Sequence, residues 1–389
     1  MDRIEPAPAD SATPGLSSER LARIGQVLGD HVARGRIAGA VALVCRDDRV
    51  AYCEAVGQRD PATGAAMTTD AIFRIYSMTK PIVSLAIMML VEEGHFLLSD
   101  PVSRFIPAFA GLRVGAARRP LEREMTVQDL LRHTSGLVYG QQGETAVHRA
   151  YREAGIGRRD ETAAQLVEKL ALLPLARQPG SGFEYSVSTD VLGRIVEIVS
   201  GEGLDRFLAS RILGPLGMTD SGFTVPAAGH GRIAEAAPDP DGKAMMELND
   251  VTRDAAFKSG GGGMVSTAAD YLQFCRLMLG GGAVDGVRLV SPKTVALMSS
   301  DHLGQIDRGP NYLPGPGYGF GLGFSVRLAP GIAPVPGSTG DYYWSGVAGT
   351  YFWIDPAERL IAILMLQAPN LRLYYRQLFR SLVYQAVTG

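Results

Sequence analysis

A serine stands three residues before a lysine in Phe73-Arg74-Ile75-Tyr76-Ser77-Met78-Thr79-Lys80, and an apolar run, Pro81 to Val91, follows. On a helix, residues three apart share a face, so Ser77 and Lys80 point the same way. Pro81 fits such a helix only in its first turn, where the N–H groups have no intrahelical partner to lose. The spacing predicts a buried helix opened by Ser77, with Lys80 one turn inside. An amine so placed can make a hydroxyl nucleophilic without a histidine. Read blandly, Ser77 is a helix N-cap and Lys80 a solvated charge. Against that reading, the chain's lysines are only Lys80, Lys169, Lys243, Lys258 and Lys293, and this is its one Ser-x-x-Lys. A lysine leading into so apolar a segment is costly to desolvate without partners or a task.

A serine nucleophile also needs a proton route to its leaving group and an oxyanion hole. After the turn Pro179-Gly180-Ser181-Gly182 comes Phe183-Glu184-Tyr185-Ser186-Val187-Ser188. Tyr185 leads into a helix from about Val187, so its phenol can project from a fixed loop. Taken alone it reads as a core or rim aromatic. It has company. Leu131-Arg132-His133-Thr134-Ser135-Gly136-Leu137 lies between the two motifs, and Gly260-Gly261-Gly262-Gly263-Met264 follows. Together these stretches resemble the serine β-lactamase and penicillin-binding-protein superfamily. Within it the chain is most similar to the class C β-lactamase-like esterases, the family VIII carboxylesterases. The resemblance runs from about residue 18 to the end.

In that superfamily a third element, Lys-Thr/Ser-Gly, lies on a strand beside the nucleophile. Lys258-Ser259-Gly260 has the right letters but sits in a Gly-rich stretch before a helix and reads as a loop. Lys293-Thr294-Val295 lacks the glycine and follows Ser291-Pro292, a helix start. Trp344-Ser345-Gly346 has the wrong first letter but the right place among the C-terminal strands, and family VIII esterases resemble this. The resemblance therefore implies Trp344, Ser345 and Gly346 as substrate-binding, with the N–H groups of Ser77 and Val347 as the oxyanion hole. Tyr139 matches a rim position of related esterases and is expected to touch substrate. Val187 stands where class C β-lactamases carry an asparagine, and Trp344 where they carry a lysine. Losing that amide and that charge favours a neutral, apolar acyl group over an anionic one. His133 reads as structural, at a helix end turning through Gly136. Gly-x-Ser-x-Gly, the elbow of α/β-hydrolases, does not occur.

The resemblance implies a serine carboxylesterase for small to medium acyl esters, working through an acyl-enzyme on Ser77. Lys80 and Tyr185 share the proton work. A lysine base requires a lowered pKa, or else Tyr185 acts as an anion held by Lys80. The alternatives are a β-lactamase or DD-peptidase, an acyltransferase of the same superfamily, and a non-catalytic binding module. No metal or organic cofactor is implied, and the expected partner is a small-molecule ester.

The elements that must position these groups follow from pattern. Ser17 or Ser18 caps a helix to about Arg34, and Gly39–Arg46 and Val50–Val56 form a hairpin. Helices are predicted over 126–132, 161–172, 187–200, 203–213, from Thr267 to Leu279, and from Pro292 to about Met298. Strands are predicted over 318–326, 341–344, 350–354 and 360–367, with a closing helix over 371–387. The expected fold class is α+β: a mainly antiparallel sheet built from both chain ends, flanked by helices, with an α-rich insertion. In this reading residues 1–16 are flexible, 17–99 and 256–389 form a discontinuous α/β domain, and 100–255 form the inserted domain.

With 389 residues, 46% of them hydrophobic and 20% charged, the composition is that of an ordinary soluble protein. A net charge of −2 supplies no attraction to nucleic acid or an anionic membrane. Cys45, Cys53 and Cys275 are too few for a disulfide framework and are expected as free thiols. The histidines show no zinc spacing. The start of the chain lacks a basic-then-apolar leader, and the run from Pro81 stops at Glu92-Glu93. A cytoplasmic protein without a membrane partner is the expectation.

Overall fold

The computed structural model describes residues 13–309 and 312–389. Both ends of the chain meet in an eight-stranded sheet whose ladders are all antiparallel. Its spatial order is Tyr318–Phe320, Ser325–Arg327, Tyr342–Ser345, Tyr351–Asp355, Leu360–Leu366, Gly39–Arg46, Arg49–Asp60, Ala65–Ala66. The two central strands, Leu360–Leu366 and Gly39–Arg46, are buried along their whole length. Successive side chains of a strand alternate between faces. Val41, Leu43, Ile361 and Ile363 therefore enter one core, and Ala42, Val44, Ala362 and Leu364 enter another.

Helices cover both faces. Ser18–Ala33 and Arg372–Tyr384 lie over one, sending Leu21, Ile24, Leu28, Phe379 and Val383 into it. Thr79–Glu92 and Ala268–Leu279 lie over the other. Every residue from Thr79 to Leu90 is buried, because this helix is packed between the sheet side and helix Ser188–Ser200. Capping fixes where the helices begin: Ser17 accepts from the Arg20 N–H, and Thr126 and Thr162 each close a capping box. Within 100–255 the longer helices are Ala146–Glu153, Ala163–Leu172 and Ser188–Ser200, and one continuous hydrophobic core joins them to the sheet side.

Several expectations are corrected. The stretch 318–326 is two short strands, not one, because the chain turns through Gly321–Phe324, with Gly323 at φ 97° against Ser84. Helix Ala146–Glu153 was not anticipated; it buries only Val147, His148 and Tyr151, and its other residues are alanine or charged. Of the 1–16 segment, Met1 to Ala12 lie outside the described residues. Thr13 and Leu16 are buried, and Leu16 pairs with Val387.

One buried ionic cluster braces the site strand. Asp341, fully buried just before Tyr342–Ser345, accepts from Arg327 Nε and Arg380 Nη1, both at 2.7 Å. It ties a neighbouring strand and the C-terminal helix to the strand that carries Trp344.

Candidate active site

Ser77 lies in a 3-10 turn, Tyr76–Met78, that runs directly into helix Thr79–Glu92. The helix thus begins two residues after the position the spacing suggested. The residue before the serine, Tyr76, has φ 43°, a left-handed conformation that costs a bulky L-residue roughly 1–2 kcal/mol. Its phenol oxygen accepts from the Asn249 N–H at 3.0 Å, which helps hold the turn. Ser77 is half-buried and lines a cleft of about 460 Å³.

Lys80 is 1% exposed, and its Nζ lies 3.5 Å from Ser77 Oγ. It donates to Tyr139 Oη at 2.9 Å and to the Gly261 carbonyl at 2.6 Å. Burial acts to lower the pKa of this ammonium. The acidic groups around it, Tyr139, Tyr185 and Asp190, act the other way and prevail, so its pKa is raised above the ordinary lysine value. Burial raises the Tyr139 phenol, against the opposing pull of Lys80.

Tyr185 stands beside this pair. Its ring centroid is 4.7 Å from Lys80 Nζ and its oxygen accepts from Trp344 Nε1 at 3.3 Å. Tyr185 is clamped by rings, with Tyr139 at 5.4 Å and Trp344 at 5.3 Å between centroids. His133 packs on it at 4.7 Å and is itself fully buried. Burial, and then the charge of Lys80, hold the His133 imidazole well below its usual pKa and so neutral.

Strand Tyr342–Ser345 carries Trp344 and Ser345 to the cleft, and the chain then turns through Gly346 and Val347. A Cβ on Gly346 would fall 2.5 Å from the Ile75 carbonyl oxygen, so the turn lies directly against the backbone leading to Ser77. Val347 is 36% exposed at the cleft. Among the described residues no group accepts from its N–H, leaving that donor free to serve as half of an oxyanion hole. Val187 lines the same cleft.

Thus Ser77, Lys80, Tyr139, Tyr185, Val187, Trp344, Ser345, Gly346 and Val347 are gathered in one place. Lys293 and Thr294 lie instead at the start of helix Pro292–Met298. Lys258-Ser259-Gly260 is a loop, as expected, but not a remote one. Ser259 and Gly261 line the cleft, and buried Asp190 accepts from the Ser259 hydroxyl and the Gly261 N–H. Asp190, Gly261, Tyr343, Arg372 and Arg376 were missed by sequence reasoning. The run of four glycines was the one available signal for Gly261: a Cβ there would lie 2.4 Å from the Asp190 carboxylate. Among the described residues no His, Cys, Asp and Glu cluster could hold a metal ion, and no helix is long and apolar enough to cross a membrane. The three cysteines are unpaired.

The β-lactamase family profile matches residues 24–379. The chain belongs to the β-lactamase family. Among similar proteins, Protein Rv1367c of Mycobacterium tuberculosis is 38% identical over 358 residues, 86% of each chain. Esterase EstB of Burkholderia gladioli is 33% identical over 366 residues, 88% of this chain and 89% of EstB. Among solved structures, EstCE1, described as a hydrolase with promiscuous acyltransferase activity, superposes with a TM-score of 0.80. It is 29% identical, and the match covers 96% of this chain and 99% of EstCE1. The β-lactamase/transpeptidase-like fold of mixed helices and antiparallel sheet is therefore shared across almost the whole chain.

Proposed function

We propose that this β-lactamase-family chain is a serine ester hydrolase of the family VIII type, cleaving small to medium acyl esters through an acyl-enzyme on Ser77. The observation that carries the reading is the buried Lys80 ammonium 3.5 Å from the Ser77 hydroxyl, at a helix start that opens into a cleft. The kinship with EstB and EstCE1 supports the same class of reaction.

Ser77 attacks the ester carbonyl, and the N–H groups of Ser77 and Val347 receive the developing oxyanion. With its pKa raised, Lys80 stays a cation, so it acts by donating and by stabilising negative charge near Ser77 Oγ. Tyr185, whose oxygen accepts from Trp344, acts as a phenolate held beside the Lys80 cation: it takes the serine proton and then returns it to the leaving alcohol. Water then repeats the sequence on the acyl-enzyme. Tyr139 fixes Lys80 through their hydrogen bond and presents its ring to substrate. An alcohol replacing that water would make the same chain an acyltransferase, an activity that EstCE1 is described as having.

The test is 4-nitrophenyl butyrate turnover with intact-mass detection of an acyl group on Ser77. Burst release of nitrophenol and its loss in Ser77→Ala are expected. A folded Ser77→Ala protein with normal turnover would remove the nucleophile.

A further inference from the structure

The segment that delivers Ser77 is fastened on both sides of the serine by short-range partners. Phe73–Arg74 pairs with Val265–Ser266, the Ile75 N–H donates to the Met264 carbonyl, and the Met264 N–H donates to Thr79 Oγ1. Between these fastenings lies Tyr76, with its left-handed φ of 43°. Such a conformation persists at a bulky residue only where its surroundings over-determine it. The backbone angles of Tyr76 orient the planar peptide that follows, and that peptide carries the Ser77 N–H.

What holds Tyr76 there is a strap. Residues 235–250 carry neither helix nor strand. Within them, Asn249 closes on the Ser77 segment with both of its backbone polar groups. Its N–H donates to Tyr76 Oη at 3.0 Å, and its carbonyl accepts from Arg74 Nε at 2.5 Å. Arg74 also donates to the Ala234 carbonyl at 2.9 Å and pairs with Glu235. The strap is itself anchored. Asn370 donates to Asp239 at 2.8 Å and to the Ala244 carbonyl at 3.2 Å, and Val251 joins a small core with Ile72, Val225, Ile233 and Val265. Tyr76 is 7% exposed, and burial raises its phenol above the ordinary tyrosine value, so its oxygen stays a neutral acceptor. A phenylalanine would fill the same space without that bond.

We propose that Tyr76 is a positioning residue: the Asn249 N–H on its phenol oxygen holds the turn that aims the Ser77 N–H, so the strap over 235–250 tunes stabilisation of the tetrahedral transition state. The proposal rests on the reading of Ser77 as the nucleophile of an ester hydrolase.

Tyr76→Phe keeps the ring and deletes the acceptor. With active sites counted by nitrophenol burst, kcat for 4-nitrophenyl butyrate should fall about fivefold with KM unchanged, the loss of one neutral hydrogen bond felt only in the transition state. Calorimetry separates positioning from general loosening. Butylboronic acid takes the Ser77 oxygen onto boron and becomes tetrahedral, whereas phenylacetamide stays planar. The boronate should bind about fivefold more weakly to Tyr76→Phe and phenylacetamide equally well. Asn249→Pro removes the donor instead; it should reproduce the loss, and adding Tyr76→Phe to it should cost nothing further. If that variant does not fold, Tyr76→Phe decides alone. Parental boronate affinity in Tyr76→Phe overturns the proposal, and so does equal weakening of boronate and phenylacetamide. Boronate binding that weakens as expected in a protein that turns over no ester would leave the positioning role standing and remove the hydrolase reading; no boronate binding at all would remove the positioning role.

Discussion

Replacing Gly346 by alanine asks whether the turn that offers the Val347 N–H depends on having no side chain. The new Cβ would sit 2.3 Å from Thr350 Oγ1 and 2.5 Å from the Ile75 carbonyl oxygen. Thr350 can rotate its hydroxyl away. Ile75 cannot move, because its N–H is bonded to Met264 and it sits two residues before Ser77. Relieving that overlap displaces the turn by roughly 1 Å, given the ordinary separations of non-bonded atoms. A misplacement of about 1 Å costs on the order of 100-fold in rate. Loss of one oxyanion donor costs on the order of 100- to 1000-fold. We therefore expect kcat to fall on the order of 100-fold, with a stability loss of about 1–3 kcal/mol from overpacking. Stopped-flow nitrophenol release from 4-nitrophenyl butyrate reads the first quantity, and denaturant unfolding reads the second. Adding Thr350→Ala removes one overlap and leaves the Ile75 contact, so the double variant should stay slow. A kcat within about threefold of the parent would refute the argument that this contact places an oxyanion donor. So would full recovery in the double variant.

Three further outcomes are expected. The Lys80 pKa is raised in the folded protein, so its charge and the stability that charge confers are fully present at neutral pH. They are lost only as pH climbs past the free-lysine value of about 10.4; an Nζ resonance of Lys80 titrating near pH 8 would contradict this. Trp344→Phe keeps an aromatic ring against Phe320 and deletes the Nε1 donor to Tyr185. That bond is worth about 1 kcal/mol, so kcat should drop about five- to tenfold in steady-state assays, and an unchanged kcat would take Trp344 out of the proton chemistry. Asp341→Asn leaves the Arg327 and Arg380 guanidiniums buried without their counter-charge. A loss of about 3–5 kcal/mol is expected from the urea midpoint and slope, and a loss below about 1 kcal/mol would show that water reaches the cluster.

Much of the secondary structure was readable because its causes are local. Thr126, Thr162 and Thr267 announce helix starts by capping geometry that spans three residues. The apolar runs at Gly39–Arg46 and Leu360–Leu366 announce central strands, though not that the two lie side by side. Reading failed where a local signal was weak or was overruled at a distance. Ala146–Glu153 has too few apolar residues to stand out, and the break in 318–326 is set by Gly323 fitting against Ser84 from another element.

The site divides in the same way. Ser77 and Lys80 belong together through helical spacing alone, so their pairing was visible in the chain before any fold was known. Tyr185 and Trp344 were legible through family pattern, each leading into or lying on an element whose period marks it. Lys80 owes its charge state to Tyr139, Tyr185 and Asp190, all far from it along the chain, and no sequence period links such partners. Nor does any period bring Arg372 and Arg376 to the cleft; the C-terminal helix reaches it by packing beside strands from both chain ends. Covalent spacing sets which group attacks. Long-range packing sets which groups are desolvated beside it.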